Sequence, residues 1–294
     1  MNLNHYLKQA KDGGYAIGHF NFTTEDVLRG IVEAAKEAGA PCAMVGTSEG
    51  EADFVGLREA VAMVKAVKEH FEYPVFLNAD HFKSFEKCKD AIDLGYDSVI
   101  IDSSRLPNEE NNALAKQVVD YARLVSAKRS EAGSVNSDIS VEGELGYLRG
   151  SSEVQQKIEI SPADYSKPEE VADFISRTGV DRMAIVFGNI HGIVTDQEEK
   201  LDIEHFSRIV AAEPRPFYVL HGASGLKDED VAASIKAGIT NVHFNTELRV
   251  VYRNEIDKQF HEHPNETTPY KYLGPAVEEV KKLVAQKIHL FMGK

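Results

Sequence analysis

The sequence predicts an α/β protein built as a closed (β/α)8 TIM barrel. Three observations carry that expectation. Eight short apolar, β-branched runs alternate with stretches of helical period. The length of 294 residues falls within the usual range for one such barrel. The segment after the first run, GHFNFT, lacks the G-x-G-x-x-G fingerprint that an open, doubly wound sheet would carry. No Pro- or Ser-rich linker interrupts the chain, so one barrel domain over residues 1–294 is expected.

The elements follow in order. The polar, amphipathic opening MNLNHYLKQAKDGG has no apolar stretch of the signal-peptide kind. YAIGHF (residues 15–20) is the first strand, followed by the helix TEDVLRGIVEAAKEAG, with Thr24 as N-cap and Gly39 as its stop. CAMVGT (42–47), VFLNA (75–79), SVIID (98–102) and ISVEG (139–143) are the second to fifth strands. MAIVFG (183–188), FYVLHG (217–222) and NVHFN (241–245) complete the eight. Right-handed crossovers lay successive strands side by side, and eight close around a side-chain-filled interior. Residues 129–138, 148–168 and 261–275 are the least regular and read as loops or short added helices.

With 43% hydrophobic residues the chain can build a large core. A formal charge of −14 excludes nucleic acid and anionic membrane surfaces as expected partners. Cys42 and Cys88 are the only cysteines and both fall in packed segments, so neither a disulfide framework nor a cysteine-rich zinc site is expected, and a reducing cytoplasm fits. No segment approaches a membrane span.

Barrel active sites form where strands end. Here the ends carry Asn21, Ser48, Asp80 with His81, Asp102, Glu142 with Glu144, His191, His221 with Ser224, and His243 with Asn245 and Thr246. Polar residues are common at such positions, and His19, His70 and His205 read as structural histidines. His81, His191 and His221 differ, because they follow the third, sixth and seventh strands at equivalent positions, where three imidazoles can converge. Such a set suits Zn²⁺, and also cobalt, iron or nickel. The HisXHis pair of a barrel metallohydrolase is absent, since His19-Phe20-Asn21 stands there, which points the metal away from hydrolysis. Glu142 and Glu144 share a strand face, as histidine buttresses or rim acids; Asp102 is a buttress or a helix cap. HGASGLKDED (221–230) is either a tight turn or an anion cradle of backbone N–H groups and the Ser224 hydroxyl.

These stretches, in order, resemble the class II, metal-dependent fructose-bisphosphate and tagatose-bisphosphate aldolases: FNFTTED (20–26), GTSEGE (46–51), NADHFKSFEKCKDAIDLGYDSVIIDSS (78–104), VEGELG (141–146), TGVDRMAIVFGNIHG (178–192), HGASG (221–225) and NTELR (245–249). The resemblance implies one catalytic Zn²⁺ per chain held by His81, His191 and His221, with Co²⁺ or Fe²⁺ as substitutes, a monovalent cation beside it, and Asp80 as the proton-transferring acid. It implies that Asp102 and Glu144 are further acids near the metal. Gly188, Gly192, Gly222, Ser224, Asn245 and Thr246 would hold the substrate and its phosphate. The implied activity is reversible cleavage of a ketose (bis)phosphate, fructose 1,6-bisphosphate first, by a cytoplasmic homodimer or homotetramer of carbohydrate metabolism. Tagatose 1,6-bisphosphate, another ketose, or a metal- and sugar-binding protein without turnover are the alternatives. No lysine ends the sixth strand, so the Schiff-base route has no candidate.

The departures from the family pattern cluster on substrate recognition. HGIVT places Thr195 where HGxYK has a lysine, and Asn241 and His243 replace the lysine and asparagine of KxNxxT. His243, facing inward by strand alternation, is expected to bind a substrate hydroxyl, bear charge beside an anion, or ligate the metal, in that order. In YLRGSSEV, Arg149 stands where a second glycine is usual and offers a replacement phosphate contact, while Lys83 reads as a surface helix residue.

Overall fold

The computed structural model describes residues 1–133 and 138–294; the middle of the irregular 129–138 stretch lies outside the described residues. In chain order the elements begin α1 (Leu3–Gly13), β1 (Ile17–Asn21), α2 (Glu25–Glu37), β2 (Ala43–Ser48), α3 (Glu49–Val55), α4 (Leu57–Phe71), β3 (Val75–Phe82), α5 (Phe85–Leu94), β4 (Ser98–Ile101) and α6 (Asn108–Glu131). They continue with β5 (Ser140–Leu145), β6 (Gly150–Gln155), α7 (Pro168–Thr178), β7 (Arg182–Ile185), β8 (His191–Val194), α8 (Ile203–Ala212), β9 (Phe217–Leu220), α9 (Asp228–Ala237), β10 (Ile239–Phe244), α10 (Thr246–Glu262) and α11 (Pro269–Phe291).

Eight of the strands close into a parallel barrel in the order β1-β10-β9-β7-β5-β4-β3-β2. All eight predicted runs are barrel strands, because a buried parallel strand must be apolar on its helix-facing side. The outer layer of the core packs β1 residues such as Phe20 against helix residues such as Leu28 and Ile31. Helix α1 seats Leu3, Leu7 and Ala10 on Ile17, Met44 and Phe76 at the N-terminal mouth. Thr24 holds the extended N-cap conformation of α2 but makes no cap hydrogen bond, so the predicted helix starts as expected without the predicted capping contact.

The stretch 148–168 is not merely loop. Its residues Gly150–Gln155 form β6, which pairs in parallel with β8 outside the barrel. The polar run GSSEVQ hid that strand, since β6 is largely solvent-facing and shows no apolar alternation.

The barrel interior departs from the aliphatic layers common to this architecture. Its middle is polar: Arg182, wholly buried, donates to Asn241 Oδ1 and Asn78 Oδ1, both at 3.0 Å, and to Ser98 Oγ at 3.1 Å. Gly46 belongs to this layer by necessity, because a Cβ there would lie 2.2 Å from His19 Nε2.

Candidate active site

The site grows from an irregularity in β3. Adjacent strand residues ordinarily face opposite sides. Yet His81 has φ 52, a left-handed conformation rare outside glycine, and the register of β3 against β4 shifts between Ala79 and Phe82. This local strain swings the His81 ring onto the same cavity as Asp80.

Asp80 ends up among imidazoles. Its Oδ1 lies 4.0 Å from His81 Nε2 and 3.3 Å from His243 Nδ1, while Asn21 Nδ2 donates to its Oδ2 at 2.9 Å. Burial alone would raise the Asp80 carboxyl; the neighbouring His81, His243 and His19 outweigh it and hold the group well below the ordinary carboxylate range. Asp80 Oδ1 is buried without a hydrogen-bond partner. Asn21 is held in turn by Glu51, whose Oε2 accepts from it at 2.7 Å.

His81 and His221 face one another, with Nε2 and Nδ1 3.0 Å apart. Each ring is fixed from its other nitrogen. His81 Nδ1 lies 3.5 Å from both Asp102 Oδ2 and Glu144 Oε2. His221 Nε2 donates to Glu142 Oε1 at 2.6 Å, and Glu142 Oε2 pairs with Arg182 at 2.5 Å, in a wholly buried pair. Burial lowers the His81 imidazolium, but Asp80, Asp102 and Glu144 reverse this and push it up to about 10. The pocket therefore demands a cation.

That demand and the donor set fit a divalent metal of the zinc kind. In a tetrahedral site with bonds of about 2.0–2.1 Å, donor atoms stand about 3.3 Å apart, close to the His81–His221 spacing. Asp80, His81 and His221 offer donor atoms within 4.8 Å of one another, as do His81, Asp102 and Glu144. Among the described residues His191 joins no such group, although its ring lies 4.9 Å from that of His81. Its position also differs from expectation. It opens β8 rather than capping a barrel strand, since β7 ends at Ile185. Burial, then His81 and His221, lower the His191 imidazole to about 3, leaving a neutral ring with a free lone pair.

Glu142 accepts from His221 at 2.6 Å, and Asp102 lies 3.5 Å from His81 and accepts from Ser104 at 2.9 Å, while the N-cap position of α6 is Pro107. His243 faces inward as alternation requires. Its ring stacks on His19 at 3.9 Å, and its Nε2 lies 3.2 Å from Asn241 Oδ1. Burial, then His221, hold its imidazole well below the ordinary value, which favours hydroxyl binding over the charged alternative.

These groups line a cavity of about 340 Å³. Gly192, Gly222, Ser224, Asn245 and Thr246 line it too. Gly222 has φ 69, and a Cβ there would lie 1.9 Å from the Ile190 carbonyl, so only glycine permits the turn that follows His221. The cradle is partly filled from within, since Gly225 N–H donates to Glu247 Oε1 at 2.7 Å.

Two expected contacts, Gly188 and Arg149, are not brought to this cavity, and neither is Thr195, which stands where the family pattern has a lysine. Gly188 packs against the Lys200 carbonyl outside it. Arg149 is committed to Asp164, its guanidinium 2.7 Å from the carboxylate. Thr195 is exposed and bonded to Gln155. The cation that does line the cavity is Arg249, hydrogen-bonded to the Ser152 carbonyl and, at 2.9 Å, to Ser152 Oγ. Its spacing of three from Thr246 on α10 was the available signal, since residues three apart share a helix face. Glu51 was similarly readable as the end of the Ser48-x-x-Glu51 capping box that opens α3.

The sequence model described as "Fructose-bisphosphate aldolase class-II" matches residues 1–294. The fructose-bisphosphate aldolase of Staphylococcus epidermidis RP62A is 33% identical over 294 residues, covering 99% of this chain and 96% of that one. The fructose-bisphosphate aldolase of Staphylococcus aureus Mu50 is 34% identical with the same coverage. Among solved structures, the YdjI aldolase from Escherichia coli K12 superposes with a TM-score of 0.81 at 28% identity, covering 99% of this chain and 96% of that one. The fructose-bisphosphate aldolase (Fba) from Campylobacter jejuni shares the fold, with a TM-score of 0.77 at 20% identity and coverage of 98% and 93%.

Proposed function

Because the chain belongs to the class II fructose-bisphosphate aldolase family, a family of lyases, we propose that it cleaves and forms ketose phosphates with zinc held by His81, His191 and His221. The observation that carries this reading is the ionised Asp80 beside the facing His81 Nε2 and His221 Nδ1. When bound, zinc supplies the Lewis acidity that draws off the electron pair released as the C3–C4 bond breaks.

The chain's own residues do the rest. Asp80 accepts the C4 hydroxyl proton on Oδ1 during cleavage and returns it in synthesis, while Asn21 holds Oδ2 and so aims the other oxygen. Neutral His243 has Nδ1 buried without a hydrogen-bond partner and directed at Asp80, which suits it to bind a substrate hydroxyl. Asp102, Glu142 and Glu144 orient the metal-binding imidazoles from outside. Ser224, Gly222 and Arg249 receive the phosphate on the ketone half.

The first substrate is fructose 1,6-bisphosphate, giving glycerone phosphate and glyceraldehyde 3-phosphate, in line with the names of the relatives. A different ketose, tagatose 1,6-bisphosphate or a singly phosphorylated or unphosphorylated sugar, is the second reading, favoured by Thr195 in place of a lysine and by the absence of Arg149 from the cavity. The working form is a single-domain cytoplasmic homodimer or homotetramer; no helix among the described residues is long and apolar enough to cross a membrane. Steady-state cleavage of the two bisphosphates by zinc-loaded protein, beside a chelator-treated control, tests the proposal. Chelator-sensitive turnover with kcat/KM at or above ~10⁴ M⁻¹s⁻¹ supports it, and equal turnover without metal contradicts it.

A further inference from the structure

His243, which lines the cavity beside Asp80, stacks on the wholly buried ring of His19. Burial holds both imidazoles well below their ordinary value, so each ring carries one proton. Which nitrogen holds that proton decides whether the group beside Asp80 donates or accepts.

The hydrogen bonds around Arg182 fix the answer for each ring. Arg182 Nη1 donates to Asn241 Oδ1 at 3.0 Å, and Asn241 Nδ2 donates to the Ile17 carbonyl at 2.9 Å, which sets the orientation of the amide. His243 Nε2 lies 3.2 Å from Asn241 Oδ1 and 3.9 Å from Glu142 Oε2. Both of those atoms are acceptors, so His243 carries its proton on Nε2 and Nδ1 is bare. His19 takes the opposite form. Asn78 Oδ1 accepts from Arg182 at 3.0 Å and from Ser98 Oγ at 2.5 Å, which leaves Asn78 Nδ2 to donate to His19 Nε2 at 3.2 Å. The His19 proton therefore sits on Nδ1. With its lone pair already engaged, His19 has no free nitrogen to give a second metal in its grouping with Asp80 and His243.

The bare Nδ1 of His243 lies 3.3 Å from Asp80 Oδ1, and both atoms are buried without a hydrogen-bond partner. Two acceptors so placed share no proton. In the other tautomer Nδ1–H would donate to Oδ1 and occupy the oxygen that receives the C4 hydroxyl proton.

We infer that Asn241, fixed by Arg182, is a positioning residue that holds His243 in the Nε2–H tautomer and thereby keeps Asp80 Oδ1 open as a proton acceptor. The effect on turnover rests on the aldolase reading above, whereas the tautomers rest on the core network alone. One guanidinium thus orders two stacked rings in opposite senses, through Asn241 for His243 and through Asn78 for His19.

Two-bond proton–nitrogen NMR of zinc-loaded protein with isotope-labelled histidine rings separates protonated from bare nitrogens. Signals are assigned by their loss in His19→Gln and His243→Gln. In the wild type His243 should show a protonated Nε2 and a bare Nδ1, and His19 the reverse. In Asn241→Leu, which removes the accepting oxygen, the His243 proton should move to Nδ1. The kcat of that variant should fall about 10–100-fold at unchanged zinc content, the range of one charge-assisted hydrogen bond at Oδ1. A wild-type His243 protonated on Nδ1, or on both nitrogens, overturns the inference whether or not the leucine variant folds. So does a tautomer that Asn241→Leu leaves unchanged, or a changed tautomer with undiminished kcat. Failure of the wild type to cleave any ketose phosphate would sink the aldolase reading, while the spectrum would still decide the tautomers.

Discussion

His221 Nε2 donates to Glu142 Oε1 at 2.6 Å, and the second oxygen of the same carboxylate pairs with Arg182 at 2.5 Å, wholly out of water. This chain fixes the His221 tautomer, so that Nδ1 is the nitrogen presented to His81. Replacing Glu142 by Gln should weaken zinc binding by about 10–100-fold, the usual cost of losing a carboxylate that orients a metal-binding histidine. Competition with a chromophoric chelator reads the change; unaltered affinity would remove Glu142 from this role.

Arg182 stabilises the same network from below. The Arg182→Met variant leaves Glu142 buried without its cation, which typically costs about 3–5 kcal/mol. Adding Glu142→Gln should recover part of that loss, because the pair shares one interaction. Urea denaturation of both single variants and the double measures the coupling, and strict additivity would contradict it.

Arg249 is the cation that lines the cavity. Its replacement by Ala should raise KM for a ketose 1-phosphate by about 10–100-fold, the range of one charge-assisted hydrogen bond, and change kcat little. A fall in kcat alone would place Arg249 in the chemistry instead of in binding.

Removing the metal should lower stability as well as activity. A ligand at a hundred times its Kd adds about 2.7 kcal/mol to the folded state. The Tm of chelator-treated protein should therefore fall and return on zinc addition. Identical melting with and without zinc would argue that no folded-state site takes it.

How much of this was readable beforehand follows from what each residue depends on. The eight barrel strands were visible because buried parallel strands impose apolar runs that any local window detects. Asp80, His81 and His221 were visible from their place at strand ends, though the left-handed backbone that lets the neighbours Asp80 and His81 share a cavity was not. Strand β6 was missed because its half-exposed polar residues carry no periodic signal. Arg182 was missed for a different reason. Its partners Asn78 and Asn241 lie 104 and 59 residues away, so only closure of the barrel reveals the network. Arg149 and Arg249 show the same limit, since a one-dimensional pattern identified a basic residue near the site but not which one the fold turns inward.

The most direct test of the central claim is the Asp80→Asn variant, assayed for ketose phosphate cleavage and for bound zinc in the same preparation. Its amide keeps the shape and the contact with Asn21 but cannot accept the C4 proton. The account predicts full zinc occupancy with turnover reduced by about 10²–10⁴-fold, the range for a general acid–base group. Undiminished cleavage, or loss of activity explained by loss of zinc, would contradict the role given to Asp80.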